Sequence, residues 1–157
     1  TSTNATTWTA RSTMPAPNNG WIDIAYDGSK FVVIDQSTTS TTKFAYSSDG
    51  ISWSTGNITS FNCIVSELIY ANGLFIASGG VNSGTNQYAT STNGTSWTVR
   101  TAPSNSTLDA KSYSATLGLW IMVVRDSTTV YTSPDAITWT ARTGSANKSW
   151  QSSATRG

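Results

Sequence analysis

At 157 residues the chain is one domain's worth, long enough to bury a core, and nine Lys and Arg against eight Asp and Glu leave it nearly neutral. Its charges are scattered without runs, which argues against nucleic acid or an anionic membrane as partner. Apolar stretches such as LIYANGLFIA and LGLWIMVV fall well short of the ~20 residues needed to span a bilayer as a helix, and the chain reads as soluble. Serine and threonine supply about a third of the residues, Val, Ile and aromatics recur at intervals, and the composition reads as all-β.

The chain opens on TSTN, without methionine and without a signal-peptide pattern, and so reads as a processed product or a piece of something longer. Its first recognisable phrase is STNATTW, Ser2–Trp8, with Asn4 at its centre and Arg11 three residues past the tryptophan. An alternating strand, a Gly-containing turn and a more apolar strand follow over Ala25–Ile34, which is a hairpin pattern. A third strand, Lys43–Ser47, runs into SSDGISW, where Ser47, Asp49, Gly50 and Trp53 repeat the opening phrase; Gly56 stands where the arginine would be.

The same sequence of events then recurs. A hairpin over Ile69–Ala77 and a strand Gln87–Ser91 lead to STNGTSW with Ser91, Asn93, Gly94, Trp97 and Arg100. A hairpin over Ala115–Val123 and a strand Thr129–Ser133 lead to SPDAITW with Ser133, Asp135, Trp139 and Arg142. Each unit predicts a four-stranded antiparallel meander of about 44 residues, its fourth strand carrying the tryptophan with hydroxyl residues on either side. Units of that size cannot bury both faces alone, so they must stack on one another. Four-stranded units arranged about an axis are propeller blades, and the fold class expected is all-β and β-propeller-like.

The phrase S-x-[DN]-G-x-[ST]-W resembles the Asp-box of sialidase-like and related β-propellers. The whole unit resembles repeated blades of bacteriophage tail fibres and other virion appendages, over nearly the full chain. The spacing departs from the Asp-box, in which one residue usually separates Asp from Gly; Asp49-Gly50 and Asn93-Gly94 are adjacent. The resemblance implies that the phrase is a corner between third and fourth strands, on the rim away from a ligand-binding mouth. Asp49 and Asp135 are then turn builders, and the repeated tryptophans and arginines serve packing between blades.

Catalysis finds little to stand on. The chain has no histidine, and the non-repeat arginines Arg125 and Arg156 with the lone Glu67 do not make the arginine cluster and Tyr–Glu pair that sialidase chemistry would need. No catalytic residue, metal ligand or cofactor is assigned, and Cys63, the sole cysteine, is expected to be a buried inert thiol. For sugar stacking, Trp21, Tyr113 and Trp150 are the candidates, because they lie outside the repeated phrase.

The organisation expected is an orphan fourth strand over residues 1–12, units at 13–56, 57–100 and 101–142, and the start of a further unit at 143–157. Three units with split ends favour association with further copies through terminal edge strands, as a ring or a filament. The expected function is therefore a non-enzymatic, self-assembling structural or interaction protein, extracellular or at a virion surface. The alternative is a lectin-like module that binds cell-surface glycans.

Overall fold

The structure is a computed structural model and describes residues 1–11, 14–36, 39–81 and 84–148. Twelve strands form three antiparallel four-stranded sheets. The first holds β1 (Trp21–Tyr26), β2 (Phe31–Asp35), β3 (Thr41–Ser47) and β4 (Ser54–Thr59). The second holds β5 (Cys63–Ala71), β6 (Leu74–Val81), β7 (Gln87–Ser91) and β8 (Thr98–Thr101). The third holds β9 (Leu108–Ser114), β10 (Leu119–Val124), β11 (Ser127–Ser133) and β12 (Thr140–Lys148). Each sheet keeps its strands in chain order, as the hairpin patterns require. Among the described residues no helix is long and apolar enough to cross a membrane.

Local chemistry sets the turns. In the β1–β2 turn the Asp27 carboxylate accepts the Ser29 N–H (2.8 Å), the Ser29 hydroxyl (2.8 Å) and the Lys30 N–H (2.7 Å). Asn72-Gly73 closes β5 onto β6 with both residues at positive φ, the pairing that a two-residue hairpin turn favours.

The three sheets share a register. Tyr26 pairs with Phe31, Tyr70 with Phe75 and Tyr113 with Trp120, and in each pair the rings meet, at centroid distances of 4.5, 4.6 and 5.1 Å. This corrects the alignment made from sequence. The third hairpin turn is two residues longer, Ala115 falls in the turn rather than in a strand, and Tyr113 is the counterpart of Tyr26 and Tyr70. The first strands also share a bulge, at Ile22, Ser66 and Asp109.

Burial follows from the stacking. The second strand of each sheet is buried on both faces, so FVVI, LFIA and LWIMVV read as continuous apolar runs rather than alternating ones. One core, including Val32, Phe44, Ile58, Leu68 and Phe75, fills the junction of the first and second sheets. Another, including Ile76, Tyr88, Leu108 and Trp120, fills the junction of the second and third. Strand β5 lies beside β1 on one side and beside β9 on the other, so the sheets follow one another in order.

Several boundaries differ from expectation. The fourth strands begin just after each tryptophan, which leaves Trp53, Trp97 and Trp139 at the corners, and they run on to Thr59, Thr101 and Lys148. Residues 143–148 therefore belong to β12, and 149–157 lie outside the described residues. The segment expected as an orphan fourth strand, described as far as Arg11, forms a corner and joins no sheet. Its ends are held together by the Thr9 N–H donating to the Thr1 carbonyl (2.8 Å).

Candidate functional site: four corners and the grooves between them

The repeated phrase folds the same way four times. At the second corner the Ser47 hydroxyl donates to Asp49 Oδ1 (2.9 Å), and that oxygen also accepts the Ile51 and Ser52 N–H groups (2.7 Å each). The Gly50 N–H returns a hydrogen bond to Ser47 Oγ (2.8 Å). Asn4 Oδ1 plays the part of the carboxylate oxygen toward Thr6 and Thr7, Asn93 Oδ1 toward Thr95 and Ser96, and Asp135 Oδ1 toward Ile137 and Thr138. The residue after the Asx is at positive φ in every corner: Ala5 at 58°, Gly50 at 67°, Gly94 at 70° and Ala136 at 56°. One side-chain oxygen thus satisfies two backbone donors that would otherwise point into an open loop.

These bonds favour the charged carboxylate. The Ile51 and Ser52 N–H groups and the Ser47 hydroxyl hold Asp49 down at about 2. The Thr138 and Ile137 N–H groups and the Ser133 hydroxyl do the same for Asp135, also to about 2.

The corner tryptophans reach back to the preceding sheet. Trp97 meets Phe44 of the first sheet and Phe75 of its own, with centroids 5.9 and 6.3 Å apart. Trp139 meets Tyr88 of the second sheet edge-on at 6.2 Å, and its Nε1–H donates to the Tyr88 hydroxyl (3.0 Å), which itself donates to the Ala136 carbonyl (2.9 Å). Phe44 lacks that hydroxyl, and Trp97 Nε1 is buried without a hydrogen-bond partner among the described residues. Trp53 is half-buried, and Trp8 is 70% exposed.

The repeated arginines face a threonine ten residues earlier on the neighbouring limb. Arg11 Nε donates to Thr1 Oγ1 (3.1 Å), Arg100 Nε to Thr90 Oγ1 (2.9 Å) and Arg142 Nε to Thr132 Oγ1 (3.3 Å). Gly56 breaks the series because the Phe44 ring lies across it. A Cβ at residue 56 would sit 2.4 Å from Phe44 Cζ. An aromatic ring over a cross-strand glycine restores the packing that the missing side chain gives up.

The candidate sugar platforms fall elsewhere. The half-buried Trp21 donates its Nε1–H to the Pro15 carbonyl (3.0 Å), Tyr113 packs on Trp120, and Trp150 lies outside the described residues. Arg125 makes a two-pronged pair with Asp109 (2.7 and 3.0 Å), and Glu67 pairs with Lys111 across the second junction. Cys63 is fully buried, and burial pushes its thiol up to about 12.

Two grooves lie between successive corners. The first, of about 400 Å³, runs between residues 1–11 and the Asp49–Ile51 tip. The second, of about 320 Å³, runs between Thr90–Arg100 and the Asp135–Ile137 tip. The sequence marks Arg11 and Arg100 as packing residues and Asp49 and Asp135 as turn builders, and it does not set the arginine of one corner against the aspartate of the next. The signal for the grooves was the joint recurrence of an arginine in one corner and an Asp-x-Ile in the next. No protein-family model matches the chain, and a search of curated proteins finds no match.

Proposed function

We propose that the three sheets are blades of a β-propeller-like stack and that the chain is a non-enzymatic structural or interaction protein of an extracellular fibre or virion appendage. The stack extends by association of its end faces with further copies. The observation that carries this reading is a contrast between equivalent residues. Leu68, where the second sheet meets the first, is 4% exposed, whereas its counterpart Ile24 on the outer face of the first sheet is 53% exposed. Tyr26 beside it is 49% exposed, while its counterpart Tyr70 packs into the first core. The outer face of the first sheet thus carries the apolar residues of a junction without a neighbouring sheet among the described residues, which favours a partner surface. Glycan stacking on Trp21 or Tyr113 draws no support from their partners.

Light scattering on the full chain, with electron microscopy of the same sample, tests this. Association that is lost in Ile24→Glu supports it, and a monomer at every concentration overturns it.

A further inference from the structure

Every residue that lines the first inter-corner groove has a counterpart in the second, which adds Leu74. Arg11 in the first corresponds to Arg100 in the second, Asp49 to Asp135, and Ile51 to Ile137. Five hydroxyl residues within Thr1–Thr9 correspond to five within Thr90–Thr98. The walls come from different corners in each case, so the match belongs to the junction and not to one folded turn. The junction between the first and second sheets breaks the pattern in all three positions, with Gly56 for the arginine, Asn93 for the aspartate and Thr95 for the isoleucine.

We propose that these two grooves are saccharide-binding sites, each for one neutral sugar unit. Arg100 and Asp135 line one groove yet form no ion pair with each other, and neither terminal nitrogen of Arg100 has a hydrogen-bond or ion-pair partner among the described residues. A donor fork on one wall and a carboxylate on the other suit a ligand that both accepts and donates, as vicinal hydroxyls do. The threonine and serine hydroxyls add groups of the same dual character, and the isoleucine offers an aliphatic wall to the C–H face of a sugar ring. One positive and one negative side chain leave the second groove neutral overall, while in the first the Thr1 ammonium, which donates to the Thr9 carbonyl (2.8 Å), adds a positive charge. A carboxylated or sulfated sugar would meet the Asp135 charge, and a metal ion would find a single carboxylate. A volume near 300–400 Å³ lies at the lower end of the range for small-ligand clefts. The Asx bonds and the Tyr88–Ala136 hydrogen bond tie the second groove's far wall into the fold without any ligand.

The sites do not depend on association between copies, so the test is made on whatever oligomer the full chain forms. Saturation-transfer NMR and calorimetry with neutral methyl glycosides of glucose, mannose, galactose and N-acetylglucosamine are expected to show millimolar binding of at least one sugar at two sites per chain. Arg11→Met and Arg100→Met are each expected to remove one site, and the double variant to lower binding at least tenfold with an unchanged melting temperature. Ile137→Ser, which leaves both arginines in place, is expected to weaken the second site alone. Absence of binding for every glycoside, full binding in the double variant, or preference for glucuronate over the neutral sugars would each overturn the proposal.

Discussion

The ammonium of Lys111 on β9 lies 2.5 Å from a carboxylate oxygen of Glu67 on β5, joining the second and third sheets through a lysine side chain sealed from solvent. Its Nζ also donates to the Leu108 carbonyl (3.2 Å). The contact has a counterpart at the other junction, where Asp23, the register equivalent of Glu67, accepts the N–H of Leu68, the register equivalent of Lys111 (2.8 Å). An acid on each inner strand therefore reaches the next sheet just past the shared bulge, which turns the strand enough to aim it.

Glu67→Gln leaves the Lys111 charge buried without a counter-ion and is expected to destabilise the fold by about 3 kcal/mol. Lys111→Met in the same background is expected to recover most of that loss. Urea denaturation of the two variants checks this, and Cys63, shielded in the native protein, reports each opening through its rate of reaction with a disulfide reagent.

Tyr88 joins two corners' worth of structure through one hydroxyl. Tyr88→Phe removes the acceptor for Trp139 Nε1, in a partly buried setting, and the donor to the Ala136 carbonyl, in a buried one. A loss of about 1–3 kcal/mol is expected, seen as a lower denaturation midpoint with an unchanged slope.

Gly94 and Ala136 hold the same corner position, but only one has room for a methyl group. A Cβ on Gly94 would lie 2.5 Å from Val32 Cγ2 and 3.2 Å from the Phe75 ring, at a φ of 70°. Gly94→Ala is expected to cost about 2–3 kcal/mol from overpacking and left-handed strain together. The effect is read in thermal melts.

The corner aspartates make the fold acid-sensitive in a defined window. Their ordinary value is 3.8 and the folded state lowers it to about 2, so the stabilisation they bring is fully present above about pH 4 and is lost as pH falls through about 2. Asn4 and Asn93 do the same work without titrating. Asp49→Asn with Asp135→Asn is expected to flatten the pH dependence of the melting temperature between pH 4 and pH 2. Asp35 acts in the opposite sense, since its burial raises its pKa despite N–H donors from Asn18 and Lys43.

The repeat, the all-β class and the strand order within each sheet were legible because each is written in neighbouring residues. An Asx followed by Gly or Ala, with a serine two residues before, closes its own corner whatever surrounds it, and Asn72-Gly73 closes its own hairpin. The third register was misjudged because the turn after Tyr113 is two residues longer than its counterparts, and the Tyr-to-aromatic pairing that anchors it shows only across a ladder. Gly56 read as a lapse in the arginine series, and its reason is the ring of Phe44 on the adjoining strand.

By itself the sequence determined the unit: four strands, one corner, and the side chains that build them, since these depend on contacts a few residues apart. Tertiary structure decided what lies between units. The Glu67–Lys111 pair, the tryptophan that satisfies its N–H in one junction but not in the other, and the grooves that set an arginine of one corner against the aspartate of the next all join residues 35 positions apart or more. No local rule reports such contacts, because they arise only when one sheet's face is laid upon another's.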